Sequence, residues 1–171
     1  MSRTITDTFQ KTLLHELNVC QHLATKLERS NADWRPRENM RSTLELMRYI
    51  ATITSATLPH YITMPAKEGA RDRYIAVRAE TAAMPFDGFT ERLESEKAQI
   101  LRYMPTITDA DLGRATHHPY NGADVSLIEA LLSVQRNLTA YRHELFLHAK
   151  LCGASVNTMN NWGGVDPKPA A

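Results

Sequence analysis

Cysteine is scarce in this chain, which has two in 171 residues, Cys20 and Cys152. They lie far apart in segments of helical pattern, without CxxC or metal-ligand spacing, which leaves no basis for a disulfide framework or a zinc knuckle. Both thiols are expected to be reduced and packed as small core residues. Charge of one sign is lacking too, because 20 Lys and Arg stand against 19 Asp and Glu. Without a basic face or interleaved basic and aromatic residues, the chain lacks the attraction to phosphate on which nucleic-acid binding depends. No apolar run approaches the roughly 18 residues of a membrane span, and the N-terminal MSRTITDTFQKTLLHELN has no apolar signal core. The expectation is a soluble, cytoplasmic protein with neither a nucleic-acid nor a membrane partner. Credible strands are absent as well.

What is present is helical periodicity, in a chain whose 43% hydrophobic content suits one domain with a real core. The last long segment, residues 126–153, is bounded by a capping box of Ser126 with Glu129 and by Gly153 as a stop. At 100° per residue it lines up Leu127, Leu131, Val134, Leu138 and Leu145 on one face. A second row, Asn137, Tyr141, Glu144 and His148, runs along the border of that face and is the kind of row that lines a pocket. A first helix over 4–29 carries Phe9, Leu13, Leu17, Cys20, Ala24 and Leu27 inward. Its His15 and His22 share the other side with Lys11, Lys26 and Arg29, which reads as a solvated face rather than a metal site.

A second capping box, Ser42 with Glu45, opens a helix expected to end near Leu58, before Pro59, with Leu46, Tyr49, Ile50, Ile53 and Thr57 inward. His60 falls near the same line if the helix outlasts the proline. Trp34, in the preceding loop, is expected to pack over the end of the bundle. A short helix over 70–81 follows. A third long helix over 88–104, capped by Asp87, puts Phe89, Leu93, Ile100, Leu101 and Met104 inward. Residues 105–123, with Asp109, Asp111, His117 and His118, read as a surface loop. In the tail Trp162 is expected to fold back over apolar surface, and the closing 166–171 to be disordered. Four long amphipathic segments imply an all-α four-helix bundle, and the long connection between the second and third leaves up-down-down-up and up-down-up-down both open.

Three motifs resemble the DinB/YfiT-like family of four-helix bundles, which includes proposed metalloenzymes. They are Trp34-Arg35-Pro36, then Ser42-Thr43-Leu44-Glu45-Leu46-Met47, and above all Tyr141-Arg142-His143-Glu144-Leu145 followed by Lys150-Leu151-Cys152-Gly153. The resemblance covers roughly residues 5–155 and implies an up-down-down-up bundle over 1–155 with a tail over 156–171. It also implies a homodimer. Family members hold a divalent metal such as zinc or nickel on one histidine of the second helix and two, four apart, on the last. Those positions correspond here to Tyr49, Asn137 and Tyr141, none of which is an imidazole. Neutral phenols and an amide are poor ligands for such ions, so no metal cofactor is expected.

The polar residues left there, Tyr49, Asn137, Tyr141, Glu144 and His148, read in two ways. One is a buried hydrogen-bonded network cross-linking the helices. The other is a pocket for a small-molecule ligand or a protein partner, with Glu144 and His148 as an i, i+4 pair. The resulting expectation is a metal-free DinB-like binding protein. The alternative is a metal-dependent hydrolase or thiol-dependent transferase, which would need a displaced site built on Glu144, His148 and His60.

Overall fold

The computed structural model describes residues 2–168. Its helices are α1 (Thr4–Ala24), α2 (Thr43–Ile50), α3 (Ile53–Thr63), α4 (Ala70–Glu80), α5 (Phe89–Tyr103) and α6 (Leu127–Leu151), with a small hairpin of β1 (Ala115–His117) and β2 (Asp124–Ser126) before α6. The first strand of the hairpin corrects the reading of residues 105–123 as a surface loop without strands; its antiparallel register sets His117 opposite Asp124. Three residues per strand are too few to show a period-2 pattern.

Cross-helix bonds fix the direction of each element. Arg3 at the start of α1 reaches the Pro105 carbonyl just past the end of α5 (3.1 Å), while Gln21 near the end of α1 reaches Thr90 near the start of α5 (3.0 Å), so α1 and α5 are antiparallel. Arg92 donates to the Ala51 carbonyl (3.0 Å) and Glu96 accepts from the Ser55 amide (2.8 Å), so α5 runs parallel to the α2–α3 pair. Thr43 meets His148 (3.1 Å), and the Ile62 carbonyl meets Arg114, whose own carbonyl binds Leu127. The α6 helix is therefore antiparallel to α2–α3, and the order is up-down-down-up.

Leu13, Leu17, Cys20, Leu46, Ile50, Leu93, Ile100, Leu131, Leu138 and Leu145 are buried, as their spacing predicts. Leu101, expected inward, is 54% exposed, while Glu96 is fully buried. On α5 the inward row is Phe89, Leu93, Glu96 and Ile100, and Leu101 lies one 100° step past it. Asp87 does not cap α5; it pairs with Arg29. The first helix stops at Ala24 rather than Arg29, although Leu27 stays buried in the turn that follows.

The second predicted helix is two helices. The chain breaks at Ala51-Thr52 and resumes through Pro59 to Thr63, outlasting the proline. A break inside a bundle leaves carbonyls at one end and amides at the other without helical partners. One pair on α5 answers both: Arg92 takes the carbonyl of Ala51, and the Glu96 carboxylate takes the amide of Ser55. Positive charge thus meets the C-terminal end of α2 and negative charge the N-terminal end of α3, each the favourable sign for the helix dipole.

The tail also departs from expectation. Asn160 and Asn161 are buried, whereas Trp162 is 59% exposed and lies over the Arg142 guanidinium at 4.7 Å. Arg142, 2% exposed, donates from Nε to Glu16 (2.5 Å) and from its terminal nitrogen to the carbonyl and side-chain oxygen of Asn161. His22 is half-buried under this tail, while His15 stays exposed at its edge. His15 bonds the Trp162 carbonyl (2.8 Å), and His22 bonds Asn160 (3.0 Å). Gly164 has φ +61°, and a Cβ there would stand 3.3 Å from the Val19 Cα, so the close approach to α1 requires glycine. Of the closing segment expected to be disordered, 169–171 lie outside the described residues, while Asp166 is bonded to Lys26 (2.8 Å).

Two predictions follow from these buried charges. Arg142→Ala should cost about 3–5 kcal/mol in urea unfolding, because Glu16 is left buried without its counter-ion; a loss near zero would show that the pair is solvated. Burial pushes the Glu96 carboxyl up to about 7. Between about pH 4.5 and 7 the folded chain therefore holds a proton that the unfolded chain releases, and stability falls as pH rises across that window. Glu96→Gln keeps an acceptor for Ser55 and should flatten this part of the pH dependence; parallel curves for the two proteins would refute the assignment.

Candidate functional site

Tyr49 faces α6 from the last turn of α2, and its ring meets Tyr141 edge to face, with centroids 4.6 Å apart and planes at 63°. The alignment of Tyr49 with Tyr141 drawn from the sequence is therefore real contact. Asn137, one turn before Tyr141, is half-buried and makes no hydrogen bond among the described residues. Glu144 and His148 approach each other at 4.0 Å. The His148 ring is buried, with Nδ1 3.1 Å from the Thr43 hydroxyl and the edge of Trp34 against it at 5.1 Å. Trp34 thus covers the bundle end by packing on His148. His60 belongs elsewhere. It sits on α3 against His117, its ring centroid 4.6 Å away, far along the α2–α3 pair from Thr43 and His148.

Among the five predicted residues, Tyr49 meets Tyr141 and Glu144 meets His148. Tyr49 alone borders a substantial cleft, about 520 Å³, whose other walls include Arg41, Arg48, Arg78, Thr52 and Thr81. The Arg41 guanidinium lies 4.5 Å from the Tyr49 centroid and 5.4 Å from that of Tyr141, and the Arg78 guanidinium lies 4.8 Å from Tyr49. Arg48 donates from Nε to the Met84 carbonyl (2.8 Å), and Thr81 donates to the Arg48 carbonyl (3.3 Å), which ties the segment after α4 to α2. Glu45 is the one carboxylate in the lining. It closes the capping box on Ser42, with Arg35 3.5 Å away, and the Ser42 amide holds its carboxyl below the usual range.

Sequence reasoning passed over the three arginines. Arg41, Glu45, Arg48 and Thr52 do share a helical face by spacing, a signal that was available. Arg78 had none, because only the tertiary fold brings α4 against α2.

The donors at the three positions do not suit the divalent ion that the resemblance implies. Burial, with the neighbouring Tyr141 phenol, pushes Tyr49 up to about 12, so it is a neutral phenol. Two guanidinium groups within 5 Å of its ring centre repel a cation. Among the described residues no three His, Cys, Asp or Glu side chains are grouped to hold a metal ion.

No protein-family model and no curated protein matches the sequence. Solved structures do match. A DinB-like protein from Bacillus subtilis aligns over 86% of this chain and 93% of its own, at 16% identity and a TM-score of 0.67. A proposed member of the DinB family from Exiguobacterium sibiricum 255-15 aligns over 94% and 99%, at 17% identity and a TM-score of 0.71. The fold of this chain is DinB-like. No described helix is long and apolar enough to cross a membrane.

Burial holds the His148 imidazole below the ordinary histidine range. The stability contributed by keeping the ring neutral is present above pH 6.5 and is lost as pH falls below it. An NMR titration should find the His148 midpoint below the ordinary histidine value. A midpoint above the ordinary value would mean that Glu144, not burial, governs the ring.

Proposed function

We propose that this DinB-like bundle is a metal-free binding protein that takes a small phosphorylated or otherwise polyanionic molecule in the cleft beside Tyr49. The observation that carries this reading is the charge of the lining, where three arginines stand against one carboxylate. The Arg41 and Arg78 guanidinium carbons lie over the Tyr49 ring, and neither side chain donates a hydrogen bond among the described residues. Their N–H edges form the fork that binds phosphate or carboxylate oxygens in pairs. Thr52 and Thr81 add hydroxyls to the same walls.

The phenol has a definite part in this account. At the position where the resembled family keeps an imidazole for a metal, Tyr49 is a platform for cations, and the ligand charge it favours is reversed. The metal-dependent alternative loses its main support here, because Glu144 and His148 lie off the cleft and His60 is on another element.

Calorimetric titration with phenyl phosphate tests the proposal, since it joins a dianion to a planar ring. Saturable binding of one molecule per chain is expected, weakened about tenfold or more by Arg78→Gln, a loss of roughly 1.4 kcal/mol. Equal binding to the variant would overturn the site, and one zinc or nickel per chain surviving desalting would overturn the metal-free reading.

A further inference from the structure

The arginine cleft is one end of a longer row of side chains. Past Tyr49, the Arg78 guanidinium lies 5.9 Å from the centre of the Tyr74 ring, Tyr74 stands 5.6 Å from Tyr120, and the Arg71 guanidinium lies 5.1 Å from Tyr120. With Arg41 over Tyr49 at the near end, three cations and three rings are interleaved from the approach to α2, along α4, to the hairpin loop. Arg71, Tyr74 and Arg78 share one edge of α4 because their i, i+3, i+7 spacing keeps them within about 60° of one another. Tyr120 is fixed in the loop by the buried Pro119 before it and by its amide, which donates to His118 Nδ1 (3.2 Å).

The guanidinium groups of Arg41, Arg71 and Arg78 make no hydrogen bond or ion pair among the described residues. Three carboxylates of the surrounding elements are taken up elsewhere: Glu80 lies 3.7 Å from Arg92, Asp124 pairs with Lys67, and Glu45 closes the Ser42 cap. Asp72 lies 100° round α4 from Arg71. A nearly neutral chain thus carries a local row of uncompensated positive charge. Interleaved basic and aromatic residues, whose absence along the sequence argued against a nucleic-acid partner, are assembled here by the fold.

We infer that this row binds a short single-stranded nucleic acid, with one phosphate seated in the arginine cleft and the neighbouring nucleotides laid along α4 toward Tyr120. The inference rests on the reading of the cleft as an anion site and extends it to a chain of anions. Each unit of such a strand brings a phosphate for a guanidinium fork and a flat base for a ring, the two features that the row repeats. An acidic peptide brings charge alone and leaves the Tyr120 ring, 48% exposed, without a partner. A duplex keeps its bases stacked on one another, which closes their faces to that ring.

Anisotropy of fluorescein-labelled hexathymidylate with the full chain is the test, beside calorimetry with phenyl phosphate. Saturable binding is expected at about 50 mM salt, with a Kd of about 10–100 μM. The logarithm of affinity should fall with that of salt at a slope of about −2, as for three phosphates of a single strand. Arg71→Gln, outside the cleft lining, should weaken the strand about fivefold and reduce that slope by about 0.7, with phenyl phosphate unchanged. Tyr120→Leu should weaken the strand about fivefold and leave the slope as it was, because it removes a ring and no charge. The inference is overturned if both variants hold hexathymidylate as tightly as the native chain, if thymidine monophosphate binds as tightly as the hexamer, or if hexaglutamate displaces it as well as unlabelled strand does. Phenyl phosphate bound and hexathymidylate unbound sinks this inference and spares the cleft; neither bound sinks both.

Discussion

The buried pair of Glu16 and Arg142 is the contact on which the assembly of this chain depends. It joins α1 to α6, the two outermost elements in sequence, and neither charge can stay in the interior without the other. Glu16 also accepts from Thr139 (2.9 Å) and Gln135 (3.2 Å), so its remaining lone pairs are used. The rest of the guanidinium is directed to Asn161, and its face to Trp162. A single side chain therefore fixes the register of two helices and docks the tail. Once docked, the tail brings Asn160 to His22 of α1 and Asp166 to Lys26 in the turn that follows it. That geometry follows from the planar, five-donor guanidinium, which a lysine could not reproduce.

The same logic governs helix ends. Two helices are capped by neighbours in sequence: α2 by Ser42 with Glu45, and α6 by Ser126 with Glu129. Two others are capped by distant acids. Asp109 accepts from the amides of Ile5 (3.1 Å) and Thr6 (2.9 Å) at the start of α1, and Glu96 serves α3 in the same manner. The cost of the distant solution differs between them. Asp109 is at the surface, and the amides and hydroxyls of residues 2–6 hold its carboxyl below the usual range. Glu96 is fully enclosed; its Oε2 takes the Ser55 amide, while its Oε1 lies 3.2 Å from Arg92 without a well-aligned hydrogen bond. Burial dominates there, and the break between α2 and α3 is held by a carboxyl raised well above the usual range.

These contrasts explain what could be read from the sequence. Local signals were legible because their partners lie three or four residues apart. Both capping boxes formed, and the leucine row of α6 is buried throughout. The bundle and its chain order were legible through the motifs around Ser42 and Tyr141, and the contact of Tyr49 with Tyr141 followed from the same alignment. What escaped was long-range polar pairing. Nothing near Arg142 announces that Glu16, far earlier in the chain, will bury it. Glu96 looked like one more outward charge on α5, and no periodicity marks Ala51-Thr52 as a break, since the cause lies on another helix. Of the proposed site, Tyr49 was legible and Arg78 was not, because α4 is brought to α2 by tertiary contacts, among them those of Arg48 with Thr81 and Met84 in the segment after α4.

That last contact bears on how the charge of the cleft is built without disturbing the core. Arg48 spends Nε on the Met84 carbonyl and its own carbonyl on Thr81, so the residue that lines the cleft also holds the connection that walls it. Arg78 then comes to Tyr49 from α4, a helix outside the four-membered bundle, while the Leu46 and Ile50 side chains one face away remain in an undisturbed core. Tyr49 at this border leaves the apolar packing intact and gathers two guanidinium groups over its ring. The charge of the cleft is thereby set by residues outside the bundle core, on the ends of α2 and on α4, while the long helices keep their apolar packing.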